Sequence, residues 1–127
     1  MQNNYLIYVA GKLNDDACGY IKNLHRMIEW GNMLLHCGFQ RHIPGLDLLC
    51  GLLDGNFDYS DYFNSNQLIL ERCDAVFLVP EFETSEGTKR EIETANRLNI
   101  PIFYPKTGME GINNMIKHFE EKEDVLA

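Results

Sequence analysis

The sequence predicts an α/β three-layer sandwich with a central, mainly parallel sheet of four or five strands, of flavodoxin-like or Rossmann-like type. Three observations carry this. Four short strand-like segments, at residues 5–10, 39–43, 75–80 and 101–104, alternate with stretches whose apolar residues recur every three or four positions. The third segment, AVFLVP, is apolar without alternation, as a strand is when a parallel sheet buries both of its faces. Acidic and small residues, 81–87, separate it from the next helical pattern and suit a loop at the carboxyl end of a strand, where open α/β sheets place their ligands.

With 127 residues, 45% of them hydrophobic, the chain has apolar material for one core, and residues 1–127 are read as a single domain. Nineteen acidic residues against eleven basic give a net charge of −8, which repels a nucleic-acid backbone or an anionic membrane surface. A small nucleotide is compatible with that charge, because a few convergent N–H groups can hold a phosphate inside a negative protein. Cys18, Cys37, Cys50 and Cys73 form no C-x-x-C pair and are expected to be buried free thiols of a cytoplasmic protein. The four histidines have no metal-ligand spacing, so neither a metal nor another cofactor is expected. The sequence runs directly into an apolar strand, and no signal peptide or membrane span is expected.

In chain order, residues 5–10 form the first buried strand, which Gly11 breaks at the ligand edge. The loop that follows, 11–16, carries Lys12, which can meet a phosphate or point into water. Ala17, Tyr20, Ile21, Leu24, Met27, Ile28, Gly31, Leu34 and Leu35 outline a long amphipathic helix ending at Cys37-Gly38. Residues 39–43 are a second strand, closed by Pro44. Residues 46–53 are expected to make one or two helical turns and 54–56 a turn; this insertion is assigned no chemistry, only a lid or subunit contact. Ser60 or Asp58 can cap a helix running through Arg72, with Tyr62, Phe63, Leu68, Ile69 and Cys73 on its apolar side. After the third strand and its loop, a helix carries Glu91, Ile92, Ala95 and Leu98 at helical spacing and ends at Asn99. Residues 101–104 are the fourth strand, and 106–108 lead into a last helix with Ile112, Met115, Ile116 and Phe119 on its inner stripe.

The start of the helix after the third strand holds the candidate chemistry. Ser85 or Thr88 can cap it, Gly87 permits close approach of a ligand to the backbone, and a helix N-terminus welcomes anions. Glu91 has two readings. In one, Thr88-Lys-Arg-Glu91 is a capping box and the carboxylate reaches back to the cap residue. In the other, Glu91 lies beside the apolar stripe at the ligand edge, an unusual place for a carboxylate.

The pattern Ser85-x-Gly87-Thr88-x-x-Glu91-x-x-x-Ala95, with Tyr8-Val-Ala-Gly11 on the first strand, resembles the nucleoside 2-deoxyribosyltransferase superfamily. It is also similar to that superfamily's nucleoside-monophosphate N-glycosidase branch and to a neighbouring uncharacterised family frequent in phage and prophage genomes. The resemblance covers about residues 5 to 105 through short motifs. It implies that Glu91 attacks C1′ of a nucleoside or nucleotide, that Tyr8 lines the sugar pocket, and that Ser85 helps to hold a 5′-phosphate. The remaining substrate-binding residues it implies are Gly11, Lys12, Gly87 and Thr88. Relatives carry an aspartate eight residues before the Asp of a Cys-Asp pair; here the count back from Asp74 lands on Asn66, which cannot deliver a proton to a leaving base. Glu81, Glu83, Asp58 and Asp61 are the substitute donors closest in sequence. A nucleotide-binding protein without catalysis, acting as a sensor or sequestering a nucleotide-derived signal, is the alternative that Asn66 favours. The resemblance also implies a homo-oligomer, and Phe57, Tyr59, Tyr62 and Phe63 are either an aromatic surface for it or part of the monomer core.

Overall fold

The computed structural model describes residues 4–47, 50, 53–55, 59–104 and 109–126. Among these residues the sheet has four strands, β1 (Leu6–Ala10), β2 (Gln40–His42), β3 (Ala75–Leu78) and β4 (Ile102–Phe103), in the order β2-β1-β3-β4. All three pairings are parallel, with Ile7 opposite Ala75 and Ala10 opposite Leu78 at the centre. The helices between and after them are α1 (Ala17–His36), α2 (Tyr59–Leu70), α3 (Glu86–Arg97) and α4 (Glu110–Leu126).

The pleat of the two central strands divides the core in two, since successive side chains point to opposite faces. Ile7, Val9, Ala75, Phe77 and Val79 pack with Met27 and Leu34 of α1 and Ile112, Met115 and Phe119 of α4. Tyr8, Ala10, Val76 and Leu78 pack on the other face with Leu70 of α2 and Ala95 of α3. Two helices on each side of a sheet whose central strands are buried make the three-layer sandwich, and explain why the third apolar segment shows no alternation.

Local chemistry sets the ends of the elements. Asp16 caps α1 by accepting from the Gly19 N–H at 2.8 Å, and Gly38 closes it at φ 98°, where a side chain would be strained. Asn99 takes φ 58° after α3, and asparagine tolerates that left-handed conformation better than most residues.

Several helix faces differ from expectation. On α1, Ile21 and Leu35 are exposed while Asn23 is buried, because the helix turns its Met27–Leu34 side to the sheet. On α2, Leu68 faces solvent and Leu70, not among the expected apolar residues, is fully buried. Ser60 lies inside α2, so it is not the cap; Asp58, the other cap candidate, lies outside the described residues, as do 48, 49, 51, 52, 56, 57 and 106–108 of the expected insertion and lead-in. This helix ends at Leu70 rather than Arg72, whose guanidinium instead donates to the Leu68 carbonyl at 2.7 Å. Leu98, placed on the inner stripe of α3 by its spacing, is exposed at the helix end. Of the four cysteines, all free, Cys73 is buried, Cys37 is partly buried, and Cys18 and Cys50 are exposed. The expectation of four buried thiols therefore fails at the two exposed ones: Cys18 lies in the first turn of α1, which faces water.

The start of α4 packs tightly on the end of β4. A Cβ at Gly111 would stand 2.5 Å from the Tyr104 carbonyl oxygen and 3.2 Å from the Phe77 ring. Gly111→Ala is therefore expected to lower stability by about 1–3 kcal/mol, read as a reduced urea midpoint. An unchanged midpoint would mean that α4 can shift at no cost.

Candidate functional site

In the order β2-β1-β3-β4 the chain leaves β1 outward to β2 and then returns past it to β3, which leaves a crevice at the carboxyl ends of β1 and β3. A cavity of about 770 Å³ occupies that place. Its walls come from Tyr8 on β1, the loop after β1, Pro44 beyond β2, one face of α2 and the first turns of α3. The residues singled out from the sequence, Tyr8, Gly11, Lys12, Asn66, Ser85, Gly87, Thr88 and Glu91, all line it.

The helix start decides between the two readings of Glu91. Ser85 is the N-cap of α3: its Oγ accepts from the Thr88 N–H at 3.1 Å and from the Thr88 hydroxyl at 3.0 Å. Thr88 is thus the third residue of the helix and not its cap, so Glu91 is not the reciprocal partner of a capping box. The carboxyl of Glu91 is instead partly buried, with the Tyr8 hydroxyl beside it. Burial pushes its pKa up to about 7, and the Tyr8 hydroxyl works in the opposite direction by favouring the carboxylate. Tyr8, 1% exposed, is itself raised far above the ordinary phenol range, first by burial and then by the Glu91 charge beside it. A carboxyl with this balance titrates near neutrality, where it can act as a nucleophile or a base.

Donors that could hold an anion lie at the same helix. Ser85 Oγ accepts two hydrogen bonds, so its own hydrogen is left to donate. The N–H groups of Glu86 and Gly87, first in the helix, have no carbonyl within it to meet. Lys12 and Arg90 also line the cavity, Lys12 with Asp15 at 3.9 Å. The negative charge of Glu86 on the same wall is partly offset by Lys89 at 3.2 Å.

Asn66 is 9% exposed, and both hydrogens of its amide are taken up by protein acceptors. Its Nδ2 donates to the Tyr62 carbonyl at 2.9 Å and to Asp47 Oδ2 at 3.2 Å, and its Oδ1 meets His42 Nε2 at 2.8 Å. The His42 ring packs against Tyr8 with centroids 5.4 Å apart, so a ring contact joins the Tyr8–Glu91 pair to the hydrogen bonds of His42, Asn66 and Asp47. His42 and Asp47 were missed in the sequence. Their signal was positional: His42 ends β2 and Asp47 follows it, at the same sheet edge that directed attention to residues 81–87. The proposed substitute donors fare differently. Glu81 is exposed and paired with Arg26 at 2.7 Å, Glu83 and Asp61 are exposed and do not line the cavity, and Asp58 lies outside the described residues. Tyr62 and Phe63, expected on an aromatic surface or in the core, line the cavity, whereas Phe57 and the Tyr59 side chain are outside the described residues.

A family model described as a domain of unknown function, DUF4406, matches residues 5–104. The chain belongs to the DUF4406 family. The matched span holds the four strands and all the cavity-lining residues, so the cavity of this DUF4406 domain lies within the family's shared region, with α4 beyond it. Neither the curated proteins nor the solved structures include a match to it. Among the described residues, no helix is long and apolar enough to cross a membrane, and no cluster of three or more His, Cys, Asp or Glu could hold a metal ion.

Proposed function

We propose that this DUF4406 domain is a nucleoside or nucleotide N-glycosidase of the 2-deoxyribosyltransferase kind, with Glu91 as nucleophile. The observation that carries the proposal is Glu91 itself, partly buried in the cavity, beside Tyr8 and adjacent to a helix N-terminus that presents free donors. In the reaction a Glu91 oxygen forms a bond to C1′ as the C1′–N bond breaks, and the base leaves with that electron pair and takes up a proton. Water then bonds to C1′ as the C1′–O bond to Glu91 breaks, and it releases to solvent a proton that balances the one the base took up, restoring the carboxylate; a second base in place of water would make the reaction a transfer. Tyr8 orients the carboxylate. Ser85, with the Glu86 and Gly87 amides, would hold a 5′-phosphate, and Lys12 and Arg90 would add positive charge beside it.

Chromatography of a panel of nucleosides and nucleoside monophosphates after incubation with the protein tests this, with free base as the product. Monophosphates are expected to bind about tenfold more tightly than their nucleosides, the worth of one charge-assisted hydrogen bond. Ser85→Ala should erase most of that preference. Equal affinities in the unaltered chain would leave a nucleoside site and remove the nucleotide reading.

One observation favours a second reading, binding without turnover. Asn66 has both amide hydrogens committed to protein acceptors, and an amide in any case is no acid, so this side chain offers no proton to a leaving base. A nucleotide that stays intact and bound through purification would support a sensor or sequestering protein.

A further inference from the structure

The hydrogen bonds of Asn66 make its chemistry toward a ligand one-sided. Two acceptors, the Tyr62 carbonyl and Asp47 Oδ2, take the two hydrogens on Nδ2. Neither could face the amide oxygen, so the orientation of the amide is settled and Oδ1 is the atom that meets His42 Nε2. That ring nitrogen must then carry the hydrogen. An amide oxygen accepts two bonds and His42 supplies one, so Asn66 has a single lone pair, and no hydrogen, for an occupant of the cavity it lines.

We propose that Asp47 and His42 are positioning residues that hold Asn66 as an acceptor without a free donor, so that the cavity selects a ligand hydroxyl at this wall. The identity of that hydroxyl rests on the nucleotide reading above. Asn66 connects through His42 and Tyr8 to Glu91, the carboxylate that would attack C1′, and the hydroxyls nearest C1′ are those of the sugar. A phosphate oxygen or a base carbonyl at the same wall would set acceptor against acceptor and lose its hydration without compensation.

The test is calorimetric titration of the intact chain with the four ribonucleoside 5′-monophosphates and their 2′-deoxy and 3′-deoxy counterparts. Removal of one of the two hydroxyls is expected to weaken binding about tenfold. Asn66→Leu and Asp47→Ala should bind the hydroxyl and deoxy forms alike, with melting curves confirming that each is folded. Asp47→Asn can still accept from Asn66 through its side-chain carbonyl and should keep the preference. A native chain that binds monophosphates but is indifferent to both hydroxyls would overturn this inference alone; one that binds no monophosphate would overturn the nucleotide reading as well. Nitrogen-15 shifts of the unliganded chain give a measurement independent of ligand and variant: a proton on His42 Nε2 is expected, and a bare Nε2 overturns the proposal.

Discussion

Glu91→Gln is expected to release no base from any substrate of the native chain and, at pH 8, to melt at a higher temperature than the parent. The first effect follows from the reaction: a neutral amide is a poor nucleophile and its glycosyl adduct cannot form as an ester. The second follows from linkage. The pKa of Glu91 is near 7 in the folded chain against an ordinary value of 4.5. The folded state therefore binds more protons than the unfolded state between those values, and stability falls as pH rises through 7. Above that pH the native chain carries the full cost of an ionised carboxylate out of water, at most about 3 kcal/mol. Glutamine avoids the charge and can accept from Tyr8, so the stability gain should be present at pH 8 and absent below pH 4.5. Full activity in the variant would refute the assignment of the nucleophile. A loss of about 1 kcal/mol at all pH values with activity kept would instead mean that Glu91 supports the helix start.

Asn66→Asp is expected to raise the rate of base release, by up to the ~10²–10⁴ that general acid catalysis contributes. In the native chain the amide nitrogen faces Asp47 Oδ2 at 3.2 Å and the Tyr62 carbonyl at 2.9 Å. An oxygen in that position would meet two acceptors. The new carboxyl and Asp47 would share one site and could not both ionise, so the pair should retain a proton at neutral pH, as paired catalytic carboxylates do. The variant would thus place a carboxylic acid on a cavity wall that now has none to donate. Slow or undetectable release in the native chain and measurable release in Asn66→Asp is the expected comparison by single-turnover chromatography. A fast native enzyme slowed by the substitution would show that Asn66 positions substrate and another residue supplies the proton. No release from either chain would favour the binding reading.

The sequence by itself determined the alternation of strands and helices, the burial of both faces of residues 75–78, and the meeting of Ser85, Gly87 and Thr88 at one helix start. These are consequences of local pattern: side-chain period, capping chemistry and the backbone freedom of glycine act within a few residues. It could not choose between Leu68 and Leu70 for the buried face of α2, because that choice belongs to the partner surface and not to the helix. Nor could it tell whether Ser85 or Thr88 is the cap, since either satisfies the rule, and the two readings of Glu91 depended on the answer. Only the tertiary structure brought Tyr8 against Glu91 and linked His42, Asn66 and Asp47, through the strand order that returns β3 to the side of β1. The protonation of Glu91 is decided at the same level, because desolvation depends on what packs around a carboxyl and not on the residues beside it in the chain.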